Sequence, residues 1–189
     1  MKRKLQRALA CLLALALLTC PVLAISSFPD VDEDADYAEA VEYLNEIGIM
    51  QGDEKGNFNP DKAVTRAEMA AIVCRMLGMT EDLPMSSAFS DVPASHWANQ
   101  YVGIAAELGI VGGYGNGKFG PSDLVTYEQA VTMVIRAVGG ESEAVDVGGY
   151  PDGYISVADE NELLNGISAR TGDPMSRVDV AVILYNCLG

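Results

Sequence analysis

The chain repeats itself, and this limits its fold more than any other feature. Phe28-Pro29-Asp30-Val31 is followed by Phe89-Ser90-Asp91-Val92 and then by Tyr150-Pro151-Asp152-Gly153, with starts 61 residues apart both times. At the same offset Gly48-Ile49 and Gly52 recur as Gly109-Ile110 and Gly113, and Gly56-Asn57-Phe58-Asn59-Pro60 recurs as Gly117-Lys118-Phe119-Gly120-Pro121. Val64-Thr65-Arg66-Ala67-Glu68 returns as Val125-Thr126-Tyr127-Glu128-Gln129. In the third copy Leu163-Leu164-Asn165-Gly166 and Ser176-Arg177-Val178-Asp179 match these segments, but Ser176 follows Thr126 by 50 residues, so eleven are missing. A period of this length marks supersecondary units that cannot bury their apolar faces singly and must stack.

Each copy reads as helix, loop, helix. Trp97, Tyr101, Ile104, Ala105 and Leu108 fall at helical spacing with Gly109 as a stop, and Val41, Leu44 and Ile47 repeat the pattern. Glycine and proline punctuate the loop between the helices. Thr65 with Glu68, and Thr126 with Gln129, predict capping boxes at the second helix, and Ser176 with Asp179 predicts a weaker one. Nearly unbroken apolar runs follow, at Met69 to Cys74, Ala130 to Ile135 and Val180 to Tyr185. They predict buried helices. The fold expected is all-α: three helix-loop-helix repeats in a pseudo-threefold arrangement around a central three-helix bundle, a monomer that is internally a pseudo-trimer. The boundaries are 1–24 for an export signal, 25–78 and 79–139 for the first two repeats and 140–189 for the shortened third. Met79 to Ala88 and Glu141 to Gly149 read as polar connectors.

Charge narrows the partners. Lys2, Arg3, Lys4 and Arg7 precede the apolar run Ala8 to Leu18, and Val22-Leu23-Ala24 offers a cleavage site. This is a secretory signal, with a mature chain from Ile25. The rival is a lipoprotein signal with Cys20 lipidated, although Thr19 suits that pattern poorly. Beyond residue 24 eight basic residues face 27 acidic ones, a net charge of −19. Such a surface repels phosphate backbones, so nucleic acid is not a partner. No later segment has the length of a membrane span. Cys74 and Cys187 lie on apolar helical stretches and read as buried thiols, or as one bridge between them.

Phe-x-Asp-Val, Trp-Ala, Gly-Ile-x-x-Gly, Gly-x-Phe-x-Pro and Thr-Arg-Ala-Glu before an apolar helix resemble the S-layer homology domain family. Copy one carries Phe28-Pro29-Asp30-Val31, Gly48-Ile49, Phe58, Pro60 and Thr65-Arg66-Ala67-Glu68; copy two carries Phe89-Ser90-Asp91-Val92, Trp97-Ala98, Gly109-Ile110, Phe119 and Pro121. The resemblance implies a spindle of three repeats. It also implies a secreted module on a bacterial envelope, held non-covalently by secondary cell wall polysaccharide linked to peptidoglycan, often bearing pyruvate ketals. Asp36 stands where the family has tryptophan, and Tyr127 where it has arginine.

Chemistry singles out the same arginines. Arg66 and Arg177 fall in the first turn of a helix, where a cation opposes the helix dipole at a cost of about 0.3–1 kcal/mol. A bound carboxylate would reverse that cost, using free N–H groups and the planar guanidinium together. The competing role is a surface salt bridge to Glu68 or to a glutamate of another repeat. Trp97 is a stacking surface for a sugar or a core anchor. Tyr127 stacks on a sugar or marks a groove that has lost its function. Asp30 and Asp91 form turns or touch a ligand. Lys62 and Lys118 add charge near the loops.

No catalytic or metal site and no cofactor is expected. Asp30, Asp32, Asp34 and Asp36 alternate like a calcium loop but lack its glycine and its closing glutamate. His96 is the single histidine, with no supporting motif for a triad. Gly112 to Gly117 lacks the lysine of a phosphate loop. Two functions stand: a non-enzymatic glycan-anchoring module, or a structural surface protein with degenerate grooves that acts through protein contacts.

Overall fold

A computed structural model describes residues 27–80 and 85–189. The export signal, Cys20 and Ile25 lie outside the described residues. Among the described residues seven helices follow in order: α1 Ala38–Glu46, α2 Arg66–Met76, α3 Asn99–Glu107, α4 Tyr127–Ala137, α5 Glu141–Asp146, α6 Asp152–Glu160 and α7 Arg177–Leu188. The described residues contain three isolated β-bridges and no sheet, so the fold is all-α as expected.

The second helix of each copy is its most buried part. α2 buries Ala67 and the whole run Met69 to Cys74, and α4 buries Ala130 to Ile135. These helices do not chiefly pack along one another. Each lies instead on the first helix of the next copy: α2 on α3, α4 on α6 and α7 on α1. A copy therefore covers its apolar helix with its neighbour's, and the exchange closes after three steps. The segments leading into α2, α4 and α7 meet in a second closed circuit. Val125 N–H donates to Val64 C=O, Met175 N–H to Val125 C=O and Val64 N–H to Met175 C=O, each at 2.9 Å. One outer turn repeats the pattern, with Arg66, Tyr127 and Arg177 N–H donating to Asp123, Asp173 and Lys62 C=O. Backbone donors that the helix starts leave unpaired are thus satisfied by the neighbouring copy.

The capping expectations divide. Thr65 completes its box: its hydroxyl accepts from Glu68 N–H at 3.2 Å, and Glu68 accepts from Thr65 N–H at 2.9 Å. Thr126 does not cap α4: its hydroxyl is buried with no hydrogen-bond partner among the described residues, and the Gln129 side chain that would complete the box accepts from Arg66 instead. Ser176 is stronger than expected. It accepts from Asp179 N–H at 3.1 Å and donates to the Asp179 carboxylate at 2.7 Å. Thr65→Ala is therefore expected to cost about 1–2 kcal/mol and Thr126→Ala no more than a few tenths, a contrast that thermal melts of the two variants would read.

One further expectation is corrected. The stretch after α4 is no loose connector. Its acid-rich start forms α5, which packs on α6 so closely that a Cβ at Gly153 would strike the Ala144 carbonyl. Of the two cysteine readings the free thiols hold: Cys74 is buried, Cys187 is half-buried, and no bridge joins them. Burial raises the Cys74 thiol to about 11, so it stays protonated and inert at neutral pH. Among the described residues no helix is long and apolar enough to cross a membrane.

Candidate functional site

The interlocking of copies builds grooves at their boundaries. In the first groove Arg66 leaves the start of α2 and crosses to the second copy. Its Nε donates to Phe119 C=O at 2.9 Å, Nη2 to Gly112 C=O at 2.7 Å and Nη1 to Gln129 Oε1 at 3.3 Å. The guanidinium lies 4.6 Å from the Phe119 ring centroid and 5.1 Å from that of Tyr114, whose hydroxyl is anchored on Asp123 at 2.8 Å. Arg66 is 7% exposed, and among the described residues none of its hydrogen-bond partners is an acid. The salt bridge to Glu68 is not made, since Glu68 pairs with Lys62 at 2.8 Å. Burial pushes the Glu68 carboxyl up, but the bonds from Lys62 and Thr65 outweigh it and hold it below the usual range. A guanidinium has five N–H donors, so two on Arg66 are left for a ligand in the adjoining cavity of about 320 Å³.

The second groove repeats this with Arg177, whose Nε donates to Phe58 C=O at 2.7 Å and Nη2 to Gln51 C=O at 2.8 Å. Its guanidinium sits 4.6 Å from the Phe58 ring centroid. Burial lowers its pKa, a shift opposed by Glu68, Asp30 and Asp53. The groove encloses about 270 Å³. Along the two grooves Gly112 answers Gln51, Gln129 answers Glu68 and Arg136 answers Arg75. Each groove thus has a second guanidinium near the end of its wall helix. Arg75 lies over Tyr101 at 5.4 Å, while Arg136 lies over Tyr154 at 5.4 Å and pairs with Glu141 at 2.9 Å. An exposed aromatic closes each: Trp97 in the second groove, Tyr150 in the first.

Trp97 is 58% exposed, so the core-anchor role is corrected. Its ring stacks on His96 with centroids 5.9 Å apart, and the core beside it is filled by Ala98, Val102 and Ala105. Asp30 and Asp91 clamp the loops instead of facing the grooves. Asp30 accepts from Phe58 and Asn59 N–H at 2.8 and 2.6 Å, and Asp91 from Phe119 and Gly120 N–H, both at 2.9 Å. Burial raises the Asp91 carboxyl, yet these two N–H groups prevail and hold it below the usual range. Both aspartates therefore fix the phenylalanines on which the arginines lie. Lys62 is spent on Glu68. The sequence reading missed Arg75, Arg136, Tyr114 and Tyr150, because each joins its groove only through the exchange between copies.

The third boundary has different chemistry. Asp36 stands at the tryptophan position, Asn186 at that of Arg75, and Glu39, Asp61 and Asp179 add carboxylates to a recess of about 430 Å³ with no lysine or arginine in its wall. Tyr127 lies elsewhere, 8% exposed in the wall of a separate cavity with Arg170. Among the described residues no cluster of histidine, cysteine and acidic side chains is placed to hold a metal.

The described residues thus form helical repeats with guanidiniums recessed at their boundaries. Residues 27–70 and 88–131 match the S-layer homology domain, and the chain belongs to that family through these two repeats. A cell surface protein of Thermoanaerobacter kivui is 38% identical over 87% of this chain and 22% of its own length. The middle cell wall protein of Brevibacillus brevis is 33% identical over 82% of the chain and 15% of its own. An amylopullulanase of Thermoanaerobacterium thermosulfurigenes is 36% identical over 57% of the chain but only 6% of its own length. The chain thus spans less than a quarter of each of these relatives.

Proposed function

We propose that the chain is a non-enzymatic anchoring module of the bacterial cell surface, retained by an acidic wall glycan whose carboxylates enter the two arginine grooves. The observation that carries this is where the cations lie. Of the eight basic residues after residue 24, Arg66, Arg75, Arg136 and Arg177 line these two grooves. In a chain so acidic, Arg66, Arg75 and Arg177 are set against uncharged carbonyls or aromatic rings with donors to spare, and Arg136 is paired with Glu141. A planar carboxylate meets a guanidinium through paired hydrogen bonds, while Trp97 and Tyr150 offer flat apolar faces to the C–H side of a sugar. A pyruvate ketal on a wall polysaccharide combines both features. The names of the surface and cell wall relatives support the location, and the match to a short part of an amylopullulanase suits a portable anchor.

The acidic third boundary favours the other reading, a surface protein that works through protein contacts. That reading leaves the paired cations of the first two grooves without a purpose. Co-sedimentation with purified wall polymer decides between them. The protein is expected to sediment with native polymer and to stay in solution once mild acid has removed the ketals. Failure to bind native polymer would refute the anchoring reading.

A further inference from the structure

The third copy holds a cavity that neither groove uses. Its interhelix segment runs nine residues from Gly166 to Met175, against twelve from Gly52 to Val64 and from Gly113 to Val125. Counting back from Ser176, Ala169 stands where the other copies place Phe58 and Phe119, which are fully buried against Phe28 and Phe89. The third copy's counterpart of Phe28 is Tyr150, which swings out to 57% exposure at the first groove. A cavity of about 550 Å³ remains.

Its lining has two faces. Asp152, Ser156 and Asp159 lie on one side of α6 at helical spacing, and neither carboxylate has a hydrogen bond or ion pair among the described residues. Leu164, Ile167 and the Tyr127 ring make an apolar floor. Tyr127, 8% exposed, lines the cavity, and its hydroxyl makes no hydrogen bond among the described residues. Arg170 braces the rim by donating from Nη1 to the carbonyls of Ile167, Ser168 and Ala169 at 3.2, 3.0 and 2.8 Å.

We infer that this cavity is a separate subsite for one uncharged pyranose residue. Two free carboxylates accept from sugar hydroxyls, the orphan phenol adds a third polar contact, and the apolar floor takes the C–H face of the ring. An anionic sugar is disfavoured, because the two carboxylates outnumber the one guanidinium, whose Nη1 is already bound to carbonyls. The inference shares with the groove reading only that the partner is a glycan.

Titration of the ¹⁵N-labelled protein with N-acetylglucosamine, methyl glucoside and methyl glucuronide tests it. The two uncharged sugars are expected to shift the amides of Tyr127, Ser156 and Ala169 saturably in the millimolar range, with the glucuronide roughly tenfold weaker. Asp159→Ala changes an exposed residue and Tyr127→Phe removes only the unpartnered hydroxyl, so both leave the fold intact. Each should weaken binding of the uncharged sugars by about fivefold or more. Arg66→Met should leave these shifts unchanged, and Asp159→Ala should leave sedimentation with acidic polymer unchanged, so each reading can fail without the other. The inference is overturned if no saturable shift occurs at these amides, if both variants bind as the parent does, or if the glucuronide binds best.

Discussion

Replacing Arg66 and Arg177 together by methionine is expected to lower affinity for acidic wall polymer by about a hundredfold or more, and either change alone by about tenfold. A charge-assisted hydrogen bond contributes about 1.5–3 kcal/mol, and each 1.4 kcal/mol is tenfold in affinity. Two grooves on one polymer multiply, since the second contact forms at high effective concentration. Methionine keeps the bulk under the aromatic rings but takes donors from the buried Phe119 carbonyl and from the Gly112 carbonyl. Some loss of stability will accompany the loss of binding, so melting temperatures belong beside the affinities. Arg66→Lys separates the two effects. Lysine keeps the charge but cannot reach two carbonyls and a carboxylate at once, so binding should fall nearly as far as with methionine. Unchanged polymer affinity in the double variant would remove the groove mechanism.

The repeat unit, its helices and the arginine positions were legible in the sequence because they depend on local spacing. What was not legible came from the exchange between copies. Gly112 lies 46 residues from Arg66, and Gln51 lies 126 from Arg177, so no local pattern pairs them. Trp97 misled for a subtler reason. The large residues Trp97, Tyr101 and Leu108 share one helical face, but the face that meets α2 is that of Ala98, Val102 and Ala105, one residue round. Close packing of two helices selected small side chains, which left the indole outside and free for the second groove. In the shortened copy the lost phenylalanine released Tyr150 and Asp152 from the roles their counterparts hold, and register alone could not show where they would go. The α5 helix escaped notice because six acid-rich residues carry almost no apolar period.

Phe119→Ala is expected to cost about 3–5 kcal/mol, the range for deleting a fully buried phenylalanine. For a chain of this size that lowers Tm by about 6–20 °C. The ring is fully buried, lies 5.5 Å from Phe89, and supports the Arg66 guanidinium at 4.6 Å. Its own N–H is held by Asp91 and its own carbonyl accepts from Arg66, so the truncation loosens the clamp, the platform and the cation together. The second groove has a separate platform in Phe58. At a temperature where the variant remains folded, calorimetry with a short ketal-bearing fragment should therefore report one site where the parent reports two, and Phe58→Ala should leave the other one. Two sites of unaltered affinity in a destabilised Phe119→Ala protein would mean that the aromatic ring serves packing alone and that Arg66 does not need it to hold a ligand.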